Sequence, residues 1–185
     1  MATALLVIDA QKDFIARRDE GYSWGNPDAE ARIADLLAGF RAAGQAVIHI
    51  HHHGTDPADG FHPDNPLSAP MAAALPLPEE PVVIKHGSSA FIGTGLEQTL
   101  RDAGFDRLVL AEGAANYCVD STARMAGNLG FDTIVVADAL INFQRTLRDG
   151  RVFPPGDVLA MTLANLDGEF ARIADTAQML AELGP

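Results

Sequence analysis

Three side chains of different chemistry stand where short apolar runs end. "ALLVID" closes on Asp9, "PVVIK" closes on Lys85, and "RLVLAEG" leads into the turn before Cys118. A thiol is mostly protonated at neutral pH and becomes a nucleophile only with a base or a positive field beside it. A carboxylate and an ammonium supply those two things. Cys118 is the single cysteine of the chain, so no intramolecular disulfide can form, and the thiol is either a buried filler or a reactive group. The stretch 116–130, "NYCVDSTARMAGNLG", favours reactivity. Val119, Thr122, Ala123, Ala126 and Leu129 recur at helical spacing, with Asn116 as candidate N-cap and Gly130 as candidate C-terminal cap. Cys118 then opens a helix that follows a strand, where free N–H groups and the positive dipole end favour a thiolate and can hold an oxyanion. With Lys85 facing it as well, a thiol more acidic than an ordinary cysteine is expected. Taken singly, Asp9 also reads as a turn cap and Lys85 as a surface lysine. Their convergence on one edge of one sheet is what makes a site.

That convergence follows from the elements. "ALLVID" (4–9), "AVIHI" (46–50), "PVVIK" (81–85), "RLVLAEG" (107–113) and "DTIVVAD" (132–138) read as strands, and "EFARIA" (169–174) as a sixth. Helices are predicted over 26–44, with Asn26 as cap and Pro27 at the first position, and over 94–104, opening on a Thr94/Glu97 capping box. Two more are predicted near 157–166 and from about Thr176. "AAGQAVIHI", "DAGFDRLVL" and "NLGFDTIVV" each leave a helix on glycine and enter a strand within a few residues. Alternating helices and nearly continuous apolar strands imply a parallel sheet covered on both faces, with ligands bound at the carboxyl ends of the strands. Residues 51–81 and 139–156 are the long irregular stretches, expected to act as lids or as contacts between subunits of a homo-oligomer.

Composition narrows the partners. The 185 residues are 48% hydrophobic and 21% charged, which suits one globular domain over 1–185. Thirteen Lys and Arg against twenty-five Asp and Glu leave a net charge of −12, so neither nucleic acid nor an anionic membrane surface is the expected partner. No apolar run approaches the roughly 18 residues of a membrane span, and "MATALLVIDAQKDF" does not read as a signal peptide. A lone cysteine makes a reducing cytoplasm the default compartment.

"LLVIDAQKDF", "KHGSSAF" and "NYCVDSTARMAGNLGFDTIVVADA", in that order, resemble the isochorismatase-like cysteine hydrolase superfamily, which includes nicotinamidases and N-carbamoylsarcosine and ureidoacrylate amidohydrolases. The resemblance implies a three-layer α/β/α, Rossmann-like fold with a six-stranded parallel sheet ordered 3-2-1-4-5-6. It implies a catalytic triad of Asp9, Lys85 and Cys118, with the thiol forming a thioester. Backbone N–H groups of Ala114 and Cys118 would hold the oxyanion, and no cofactor is required. The expected reaction is cleavage of a C–N bond in a small amide, ureido or related acyl compound by a dimer or tetramer. Hydrolysis of a vinyl ether, a non-catalytic binding role and a redox-sensing thiol are the alternatives. Members usually carry glycine six residues before the cysteine and often threonine three before it; here Glu112 and Ala115 stand there. A non-proline cis peptide at Gly113–Ala114 is implied by the same resemblance.

Two further sets of residues bear on the pocket. In "HIHHHG" (49–54), His49, His51 and His53 share one face of an extended segment, with His52 opposite. Zinc-containing nicotinamidases carry an Asp-x-His pair after the second strand. Here no aspartate stands at that spacing, so pocket or interface histidines are expected and no metal. Phe14, Trp24, Phe91 and Tyr117 flank the motifs and are the candidate apolar wall over the scissile carbonyl.

Overall fold

The structure, a computed structural model, describes residues 1–183. Six parallel strands form the sheet: β1 (Thr3–Ile8), β2 (Ala46–His52), β3 (Val82–Lys85), β4 (Arg107–Glu112), β5 (Asp132–Leu140) and β8 (Arg172–Ala174). Their order is β3-β2-β1-β4-β5-β8, which is the expected 3-2-1-4-5-6 once the short antiparallel hairpin β6 (Arg145–Thr146) and β7 (Val152–Phe153) is set aside. The order reverses direction at β1/β4, and the crevice beyond that switch point is where such sheets bind ligands.

Strand alternation builds two cores. Leu5, Val7, Val109 and Ala111 face one side, against Ile33, Leu36, Leu37 and Phe40 of α2 (Ala29–Ala42) and Met179 of α6 (Thr176–Leu183). Leu6, Ile8, Leu108 and Leu110 face the other, against α3 (Leu96–Asp102), α4 (Asp120–Asn128) and α5 (Pro155–Leu166). A short α1 (Lys12–Asp19) follows β1 directly, an element the sequence pattern does not announce. The three glycines at helix-to-strand junctions, Gly44, Gly104 and Gly130, have φ of +63°, +73° and +82°, the left-handed cap conformation expected of them.

Three expected caps are built otherwise. Asn26 does not open α2; its amide donates to the carbonyls of Ala137 and Leu140 at 2.8 and 2.9 Å, tying the end of β5 instead. Thr94 donates to the Ala90 carbonyl at 2.6 Å and accepts from Leu96 N–H, while Glu97 turns to Arg101, so no capping box forms. Asn116 lies inside a π-turn, Ala115–Val119, that begins after Ala114.

The long stretch between β2 and β3 is held by side chains rather than by regular structure. Buried Gln11 donates to the carbonyls of His52 (3.0 Å) and Ser68 (2.7 Å) and accepts from His52 N–H (2.8 Å). Farther from the strand ends, Glu80 takes two bonds from Arg41 and one from His49 Nε2 at 2.9 Å. Gln11→Ala removes three bonds and strands buried partners, so chemical denaturation should show a loss of about 2–4 kcal/mol in unfolding free energy.

Candidate functional site

The carboxyl ends of β1 and β3 and the π-turn after β4 bring Asp9, Lys85 and Cys118 together. Lys85 Nζ lies 2.8 Å from Asp9 Oδ2 and 3.3 Å from Cys118 Sγ, and also donates to the Gly87 carbonyl at 3.2 Å. Its fourth neighbour is His52 Nδ1 at 3.4 Å. Lys85 and Asp9 are 0% and 1% exposed, so this is an ion pair sealed from water. Such a pair stands only when both partners are present and further hydrogen bonded.

Local backbone geometry aims these groups. Asp9 has φ +56°, a conformation that non-glycine residues seldom adopt, held by its own N–H to the Ile50 carbonyl (2.7 Å) and by Gln11 N–H to the Asp9 carbonyl (2.6 Å). Glu112, where the resemblance leads one to expect glycine, has φ +91°. Each such residue costs about 1–3 kcal/mol, a cost that other contacts must offset. Gly113–Ala114 is trans, as are the other peptide bonds among the described residues. The loop after Lys85 is tied to the Cys118 helix by Ala90 N–H donating to buried Thr122 Oγ1 at 3.0 Å.

The thiol is not acidic. Burial first, and the Asp9 charge second, push Cys118 up to about 12, against the opposing pull of Lys85. The expectation of a thiolate at a helix N-terminus is corrected here: Cys118 sits inside the π-turn, and a carboxylate adjoins it. Burial likewise raises the Asp9 carboxyl, partly offset by Lys85. Asp9 Oδ2 is bonded to Lys85, while Oδ1 is buried with no hydrogen-bond partner among the described residues. Ala114 N–H likewise donates to no protein acceptor among the described residues.

A cavity of about 340 Å³ opens over these groups. Phe14 and Tyr117 line it as the sequence predicts. Trp24 and Phe91 do not. The Trp24 ring is buried in the α2 core with Arg18 4.8 Å above it, because Gly25 N–H bonds the Asn142 carbonyl and folds that loop back over β5. Phe91 stacks on Phe131 in the opposite core, 6.0 Å between centroids. Phe61 takes the vacated role, packing edge-on to Phe14 at 5.3 Å and to His52 at 5.6 Å. Arg17, Asp59, His86 and Ser88 complete the wall. His86 and Ser88 adjoin Lys85 in the sequence, which is a readable signal; Asp59 and Phe61 lie in the irregular stretch and carry none. A larger cavity of about 790 Å³ between α4, α5 and β7 contains none of the three reactive side chains.

The histidines divide by strand face as expected. His52 points to Lys85, while buried His49 bonds Glu80 and lies 6.3 Å, ring to ring, from His51. Burial keeps His52 and His51 neutral, with values lowered to about 4. Among the described residues no cluster of three His, Cys, Asp or Glu side chains is disposed to hold a metal ion.

Sheet order and switch point define a three-layer α/β protein with a parallel sheet, a thiol standing at the sheet's carboxyl edge. The Isochorismatase domain matches residues 3–152, and the chain belongs to the isochorismatase family of hydrolases. It is 34% identical to the isochorismatase family protein YrdC of Bacillus subtilis, over 96% of this chain and 94% of that protein. It is 32% identical to the maleamate amidohydrolase of Pseudomonas putida, over 74% and 71%. An isochorismatase-family crystal structure from Chromobacterium violaceum superposes with TM-score 0.93 at 41% identity, covering 99% of this chain and 94% of that one.

The charge arrangement gives a signed prediction. Iodoacetamide labelling of the wild-type thiol should rise only above the free-cysteine value of about 8.5, and Asp9→Asn should move the rise to lower pH by removing the neighbouring anion while Lys85 stays. An unchanged or upward-moved profile in Asp9→Asn would show that Asp9 does not act on the thiol.

Proposed function

We propose that residues 1–185 act as a single cysteine amidohydrolase domain that cleaves a C–N bond in a small amide or ureido compound. The observation that carries this reading is the cluster in which buried Lys85 lies 2.8 Å from Asp9 and 3.3 Å from the thiol. The maleamate amidohydrolase among the relatives supports an amide of a small acid as the substrate class. A cavity of about 340 Å³ suits a substrate of that size.

In the proposed cycle the thiol rests protonated. As Sγ attacks the carbonyl carbon, its proton passes to Asp9 Oδ1, so charge on sulfur is spent in bond formation rather than accumulated. Lys85 stays beside both groups and compensates whichever one carries the negative charge. The tetrahedral oxyanion takes hydrogen bonds from the N–H groups of Ala114 and Cys118, each worth up to about 3–4 kcal/mol of transition-state stabilisation. The unpartnered state of the Ala114 N–H supports its assignment. Asp9 then returns the proton to the leaving nitrogen, which departs as ammonia or an amine. Water attacks the thioester, gives its proton to Asp9, and releases the acid; the proton returns to sulfur. Phe14, Phe61 and Tyr117 wall the acyl group, and no step calls for a metal or cofactor.

The lone cysteine supports a reducing, cytoplasmic setting. No described helix is long and apolar enough to cross a membrane. Exposed Val152, Phe153 and Met161 on the hairpin and α5 support a homo-oligomer.

Ammonia release across a panel of small amides tests the reading. Cys118→Ser should lower kcat by about a thousandfold or more while the thermal midpoint stays close to wild type. Asp9→Asn should lower it comparably, and more than one-tenth of wild-type turnover in either variant would sink the assignment. Lys85→Met should cost activity and also about 3–5 kcal/mol of stability, because it leaves the Asp9 charge buried and unpaired.

A further inference from the structure

Glu112 joins three unfavourable features at the residue that ends β4 and opens the turn carrying Cys118. Its side chain is 0% exposed, neither carboxyl oxygen has a hydrogen-bond partner among the described residues, and its backbone sits at φ +91°. A carboxylate without a donor is not sustained in such a place, so the group resides there as the neutral acid. Its surroundings enforce this. Asp9 lies near it from β1, whose Ile8 is its register partner; Glu30 lies near it from α2; uncharged Leu140 is its register partner on β5. Each neighbouring acid already has its cation, Lys85 on Asp9 and Arg18 on Glu30 at 3.1 Å. Burial, then Asp9, then Glu30 hold the Glu112 carboxyl well above the usual range.

The main chain at Glu112 is tied to both neighbouring strand ends. Ile141 N–H donates to the Glu112 carbonyl (3.1 Å), Gly113 N–H to the Ile8 carbonyl (3.0 Å) and Ala115 N–H to the Ile141 carbonyl (2.8 Å). A Cβ at Gly113 would collide with the Phe14 ring, so the turn has no slack on that side. We propose that Glu112 makes the turn sensitive to pH: the main-chain ties seat residues 112 to 118 between β1 and β5 only while the buried carboxyl is uncharged, and its ionisation sets the alkaline limit of the reaction. A proton lost from Glu112 puts a second anion beside Asp9, whose cation Lys85 is already engaged. Outward movement of residue 112 relieves it and carries Ala114 N–H and the thiol away from Lys85. The proposal rests on the cysteine-hydrolase reading for its activity readout, and on stability alone for its second readout.

The fold binds the Glu112 proton more tightly than the unfolded chain does. Stability from the protonated form is therefore complete in acid and declines as pH climbs toward the folded group's titration. The experiment compares wild type, Glu112→Gln and Glu112→Gly by thermal midpoint and by kcat/KM toward a turned-over amide, from pH 6 to 10. Glu112→Gln should move the alkaline limb of kcat/KM upward by about one pH unit or more, and its midpoint should lack the decline with rising pH expected of wild type. Glu112→Gly, which accepts the same φ, should show the same flattening with a higher midpoint at every pH. Should Glu112→Gln not fold, the glycine variant carries the comparison. An alkaline limb and a midpoint profile that match wild type in the folded variants would overturn the proposal. If wild type turned over no amide, the cysteine-hydrolase reading would fail, and the midpoint profiles would still decide the role of Glu112.

Discussion

The ion pair between Lys85 and Asp9, 2.8 Å long and sealed from solvent, is the constraint on which the rest of the architecture turns. Taking two charges out of water costs several kcal/mol per ion, and mutual attraction offsets it only with good geometry and additional hydrogen bonds. Those contacts come from three chain segments. Gly87 on the loop after β3 accepts from the ammonium, His52 at the end of β2 adjoins it, Ile50 fixes the Asp9 backbone, and the thiol adjoins both charges. A parallel sheet whose order reverses at β1/β4 is what delivers these segments to one point.

The same constraint explains why strain collects at this edge. Asp9 and Glu112 are the two non-glycine residues with positive φ among those described, and they end neighbouring strands. An ordinary extended residue at either place would carry the chain past the site. Ties from Gln11, Ala90 and Thr122 hold the flanking loops, so the strain is confined by the surrounding framework rather than relaxed. Locating a raised-pKa thiol beside a carboxylate has a chemical consequence too. In the proposed cycle such a cluster moves a proton during attack, with one ammonium serving sulfur and carboxylate alike, rather than storing a thiolate.

Much of this was legible in the residues. Apolar runs and terminal glycines located all six strands of the sheet, and three motifs in order pointed to Asp9, Lys85 and Cys118, which the fold does bring together. What the sequence misplaced shares one cause: it depends on contacts distant in the chain. Trp24 and Phe91 flank motifs but are drawn into opposite cores by α2 and by Phe131. Asn26 has the right type for a helix cap, yet the end of β5 offers it two carbonyls. The thiol's environment was read from its helix end, a local feature, when burial and the Asp9 charge outweigh it. Phe61 and Asp59 reach the cavity from an irregular stretch with no periodicity to announce them.

The central claim, that Cys118 forms a covalent acyl intermediate with help from Asp9 and Lys85, is tested most directly by rapid acid quench during turnover of a small amide, followed by mass spectrometry. The account predicts a fraction of chains heavier by the acyl group, equal to the substrate less ammonia or amine, mapped to the peptide containing Cys118 and absent in Cys118→Ser. Steady turnover with no adduct on Cys118 at any quench time, retained in Cys118→Ser, would contradict it.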